Sequence, residues 1–179
     1  MKTQKLTLMA LGVVLNVVCA FVAMSLRLPV YMDSVGTVLI AILLGPKYAV
    51  ITGLLGSCTS GILFDVYSFY FAPVQITTGF ICGVMNQKGM LEGKKAFLGV
   101  LIYSLPTAII SALITAYLFG GITSAGSSYL VQVLSGVGVP LVVGVFATQI
   151  VTEYVDKFLA LIISKNIINK VPKDIKAKI

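Results

Sequence analysis

Apolar residues run along this chain in long blocks, not in the two-residue alternation of a half-buried strand, and short polar or glycine-proline breaks close each block. The blocks lie at about 6–26, 35–45, 47–64, 74–86, 96–119 and 137–163. Leu6 to Leu26, at ~1.5 Å per helical residue, reaches ~30 Å and can span a bilayer. It is too long for a signal-peptide core and no A-x-A site closes it, so it is expected to be retained. Val35 to Leu44 is about half a straight span, so it must be broken, tilted or prolonged by the preceding loop. Gly45-Pro46-Lys47 reads as a tight turn into the third block. There Thr52, Gly56 and Ser60, and again Gly53, Ser57 and Gly61, recur at spacing four, as do Ser104, Ala108, Ala112 and Ala116 in the fifth. Such small-residue faces let helix backbones approach closely. Pro106 predicts a kink near the inner end of the fifth block. Tyr129 to Ser135 predicts a short helix over the outer mouth.

Composition sharpens this picture. With 58% apolar and 11% charged residues and a mean hydropathy of +1.04, the 179-residue chain lies far outside the soluble range. The expected fold is an all-α integral membrane protein, one domain over residues 1–179 with six transmembrane helices. Lys2, Lys5, Lys47, Lys88, Lys94, Lys95 and the lysines of a basic tail, 164–179, fall on one side, leaving Arg27 on the other. The positive-inside tendency then puts both termini in the cytoplasm and the loops at 27–34, 65–73 and 120–135 outside. The lysines form no aromatic-interleaved basic face, which argues against nucleic acid. Histidine is absent and Cys19, Cys58 and Cys82 lie far apart, so neither a metal site nor a disulfide framework is expected. Gly89-Met-Leu-Glu-Gly-Lys-Lys lacks the spacing and the serine or threonine of a phosphate-binding loop. The chain is expected to have no ATPase site of its own, no cofactor and no enzymatic activity.

Candidate chemistry gathers at the outer edges of the second and third blocks, where Asp33 and Asp65 stand among tyrosines and phenylalanines. Tyr31, Asp33, Asp65, Tyr67, Phe69, Tyr70, Gln75, Gln132 and Gln149 are the expected lining of a pocket for a small polar or heteroaromatic molecule, with rings stacking on it and amides and carboxylates fixing its edges. Asp33 is expected to contact the ligand and Asp65 to cap or orient the aromatic loop; the plainer alternative is that both are solvated loop acids. The excess of acids over bases outside argues against an anionic ligand and places a nucleoside or modified purine ahead of a cationic vitamin. Glu153, Asp156 and Lys157 form a second constellation, with Glu153 and Lys157 at i and i+4. It reads as an internal ion pair stabilising the bundle. The alternatives are the coupling site of a standalone ion-driven carrier, with Glu153 as its carboxylate, or the acid-base set of an intramembrane enzyme. Asn16 reads as an interhelical hydrogen bond.

The order D-x-x-G-T-x-x-x-A-x-L-L-G-P-x-x-A-x-x-x-G-L-x-G from Asp33, the Phe71-Ala-Pro73 closure of the aromatic loop, the Gly/Ser-rich fifth loop and the E-x-x-D-K then Val171-Pro172-Lys173 ending resemble the substrate-binding S-component of energy-coupling factor (ECF) vitamin transporters. The resemblance implies an ABC importer of a bacterial cell membrane, in which this subunit works with a transmembrane coupling subunit and two ATPases, toppling in the membrane to release substrate inside. It also implies that a small-residue face of the first helix, here Ala10 and Val14 or Gly12, Asn16 and Ala20, docks the coupling subunit.

Overall fold

The computed structural model describes residues 2–171, and every element among them is helical. In chain order these are α1 (Lys2–Ser25), α2 (Val35–Leu44), α3 (Pro46–Leu63), the single turn α4 (Tyr67–Tyr70), α5 (Ala72–Gln87), α6 (Lys95–Leu113), α7 (Ser127–Gly136) and α8 (Leu141–Lys170). Thr3–Ser25 and Lys95–Leu118 are long and apolar enough to cross a membrane. The Pro172 and Lys173 of the family-like ending, with most of the tail, lie outside the described residues.

The short second block is the centre of the molecule. α2 packs on α1, α3, α5 and α8, and every residue from Val35 to Ala41 is buried, as a helix apolar on all sides must be. Its ten residues make only ~15 Å of helix. The irregular segment before it completes the path, which is tolerable away from water only where its backbone polar groups find partners inside the protein. Gly45, at φ 88°, supplies the left-handed backbone that ends α2, and Pro46 opens α3 at once. α1 crosses α2 at Gly12 and Gly36, and a side chain on Gly36 would collide with the Gly12 backbone. α3 packs closely on α5 in the same way, with Gly53 against the Gln75 backbone and Gly79 against Ala49.

Pro106 sits inside α6 without ending it, while Thr107 and Ser104 donate to nearby carbonyls of the same turn. The irregularity comes later, where α6 widens into a π-type turn over Ile114–Leu118. The last helix starts after Pro140, later than the apolar pattern predicts, and runs for 30 residues. The basic tail expected from 164, which sequence alone reads as solvated, begins instead within α8: Ser164 is buried and donates to the Val35 carbonyl at 2.9 Å, and Lys165 donates to the Leu91 carbonyl. These contacts continue the α8 helix by nearly two turns.

Polarity is arranged inside out. Leu6, Val14, Val18, Phe21, Ile62, Phe97, Val133 and Val151 are among many large apolar side chains left exposed, whereas Asn16, Thr37, Gln75, Gln149, Glu153, Asp156 and Lys157 are buried.

Candidate functional site

The segment before α2 dips toward the interior and is pinned there by α8. Met32 holds φ 56°, which a bulky side chain resists, and its N–H donates to Asp156 Oδ1 at 2.6 Å. Ser34 Oγ donates to Asp156 Oδ2 at 3.2 Å. Lys157 Nζ donates to Asp156 Oδ2 at 3.1 Å and to Ser34 Oγ at 3.3 Å and is ion-paired with Glu153 Oε2 at 3.3 Å. The Glu153 contact lacks hydrogen-bond alignment, and Oε2 is left without a hydrogen-bond partner.

On this floor stands Tyr31, whose hydroxyl donates to Gln149 Oε1 at 2.9 Å and sits 3.0 Å from Ser127 Oγ, the natural donor to it. Gln149 also accepts from Ser111 and donates to Thr115 in the π-type turn. Both acceptor positions of its amide oxygen are therefore taken, by Tyr31 and Ser111.

Above the floor is a narrow, partly open cleft lined by Tyr31, Asp33, Asp65, Tyr67, Ser68, Phe71, Val74, Glu153 and Lys157 and roofed by Thr123, Ser124 and Ala125. A second lobe continues from it past Asp33 and Asp65 toward Met24 and Leu28. Asp33 Oδ1 is shut off from solvent and has no hydrogen-bond partner. Asp156, Glu153, Lys157 and the Gln75 amide surround the Asp33 carboxylate. Gln75 is buried beside the cleft; its Oε1 accepts from Thr37 at 3.1 Å, and its Nε2 closes no hydrogen bond of normal geometry. Asp65 accepts from Ser68 Oγ at 2.9 Å at the start of α4.

The aromatic wall differs from the expected one. Tyr67, Phe71 and Val74 follow at i, i+4 and i+7 and so share a face toward the cleft, while Phe69 and Tyr70 are turned off it by the same helical period. Phe69 lies over Gly61 and Tyr70 is half exposed. Phe119, which sequence reasoning passed over, is the hub that orders this wall: Tyr67 and Tyr70 meet it edge-on at 4.8 and 5.2 Å, and Phe71 stacks beside it at 6.3 Å. Gln132 is also removed from the lining. It is exposed on α7, in a wider groove with Arg27 and Tyr129.

The residues proposed for docking divide by face. Gly12 and Asn16 are buried, Asn16 accepting from the Gly36 and Thr37 amides at 2.7 and 3.1 Å and donating to Thr37 Oγ1 at 2.8 Å. They are occupied within the chain, which corrects their docking assignment. Ala20 borders the second lobe, while Ala10 and Val14 face outward.

Comparison with protein families, with curated proteins and with solved structures finds no match to this chain.

Proposed function

We propose that this chain is the membrane-embedded binding subunit of an ECF-type importer, with six spans and both termini in the cytoplasm, capturing a small water-soluble compound at its outer face. The observation that carries this reading is a polar, aromatic-walled cleft with unsatisfied buried acceptors, set in a bundle whose outside is apolar and whose inside is polar. Irregular backbone at 31–34 borders the cleft, as non-helical chain at membrane depth does where it is enclosed by protein. The six-span count takes α1, α2 with its preceding segment, α3, α5, α6 and α8, with α7 lying across the outer mouth. On this reading the energy for uptake comes from partner ATPases through a coupling subunit. On α1 the surface free to meet such a subunit is the outward stripe of Leu6, Ala10, Val14 and Val18, spaced by four.

Lys157 between Glu153 and Asp156 favours a structural role for the triad over an ion-coupling or catalytic one, because the ammonium is already neutralised. Reconstitution tests the choice. The chain alone in vesicles is expected to bind its compound without accumulating it under a proton or sodium gradient, and to gain ATP-dependent uptake only with a coupling module. Gradient-driven accumulation by the chain alone, abolished in Glu153→Gln, would replace this reading with the carrier.

A further inference from the structure

The cleft contains more negative charge than it neutralises. Asp33, Asp65, Glu153 and, beneath them, Asp156 face a single ammonium, Lys157, and that ammonium is spent on Asp156, Ser34 and Glu153. Asp33 Oδ1 is buried without a hydrogen-bond partner, and Glu153, 2% exposed, has its Oε2 held only by the ion-pair contact with Lys157 at 3.3 Å. An acceptor buried without a donor is destabilising, more so when charged, so the free protein bears a penalty that a donor entering the cleft would remove. The groups that would favour an anion are engaged: the first amides of α2 are taken by Asn16, and Lys157 already lies against two carboxylates. No group of acidic, histidine or cysteine side chains among the described residues is arranged to hold a metal ion. The walls are rings, Tyr31, Tyr67 and Phe71, whose π faces attract organic cations and whose edges pack flat molecules.

We propose that this cleft takes a flat ligand bearing a protonated amine or an equivalent cationic nitrogen, with Asp33 and Glu153 as its counter-ions and Tyr67 and Phe71 against its ring. This rests on the binding-subunit reading and departs from the sequence preference for a neutral nucleoside. Asp33 is faced by Glu153, Asp156 and Lys157 from α8, by Tyr31 on its own segment and by Asp65 across the cleft.

The test uses the full chain in detergent and three molecules that share a ring and differ in charge: tryptamine, tryptophol and indole-3-acetate. Calorimetry at neutral pH is expected to give tryptamine at least about tenfold tighter binding than either of the others. That preference should shrink in Asp33→Asn and in Glu153→Gln. Gln132→Ala should leave it unchanged. Equal binding of tryptophol, tighter binding of the acetate, or no binding of any of the three at millimolar concentration overturns the proposal. Mass spectrometry of the compound retained through purification separates the two levels. A retained neutral or acidic molecule defeats the cationic ligand while leaving the binding subunit standing. A charge preference in a chain that drives uptake by itself defeats the subunit reading and leaves the cation site.

Discussion

Lys157 and Glu153 touch each other, yet their removal should have unequal effects. Without Lys157, Glu153 and Asp156 are stranded in the interior, and breaking a buried pair in this way costs ~3–5 kcal/mol. Without the charge of Glu153, Lys157 keeps Asp156 and Ser34, and an oxygen that lacked a hydrogen bond is lost, so the change should stay within about 1 kcal/mol. Thermal unfolding in detergent should therefore place Lys157→Met far below Glu153→Gln; equal losses would mean that Glu153, not Asp156, is the main partner of Lys157.

At the scale of elements, period decides which rings matter. Truncating Phe71 removes a wall of the cleft and a neighbour of both Tyr31 and Phe119, and should weaken ligand binding about tenfold or more, since a buried aromatic side chain contributes ~1.5–3 kcal/mol. Tyr70→Ala should change affinity little, because Tyr70 packs on the outer side of Phe119. If Tyr70→Ala abolished binding and Phe71→Ala did not, the wall would have to be redrawn. The pattern of apolar blocks made the helices legible, with Gly45-Pro46 marking the turn and the small residues of α3 marking close packing. The cleft was half legible. Asp33, Asp65, Tyr31 and Tyr67 stand in it, and a helical reading of 67–74 would have exchanged Phe69 and Tyr70 for Phe71 and Val74. Phe119 was not legible, being remote in sequence and set by a π-type turn just before it that local pattern does not reveal. Nor could composition tell that Gln149 and Asn16 are engaged by Tyr31 and by the start of α2, since hydrogen-bond partners twenty or more residues away are set by packing.

For the whole molecule, the contacts sort the loops into two ends. Lys5 lies over the Tyr48 ring at 5.2 Å and Lys165 reaches Leu91, which gathers the start of α1, the α2–α3 turn, the 88–95 segment and the end of α8. Arg27 donates to Tyr129 and Tyr31 pairs with Ser127, which gathers the cleft, the aromatic loop and α7 at the opposite end. Apart from Lys157, the described lysines stand at the first end, and a lone Arg27 stands at the second. Anionic lipid and the insertion machinery both favour lysine on the cytoplasmic side, so the cleft should open outward. Two single-cysteine probes in a background with Cys19, Cys58 and Cys82 replaced can test it. Lys88→Cys marks the lysine end, and Ser124→Cys marks the roof of the cleft. In intact cells a membrane-impermeant maleimide should label Ser124→Cys and spare Lys88→Cys until the membrane is opened. Retained ligand should also slow the labelling at Ser124, because that residue covers the cleft. Labelling of both positions from one side would break the two-ended arrangement, and labelling of Lys88→Cys alone would turn the cleft toward the cytoplasm and end its reading as an uptake site.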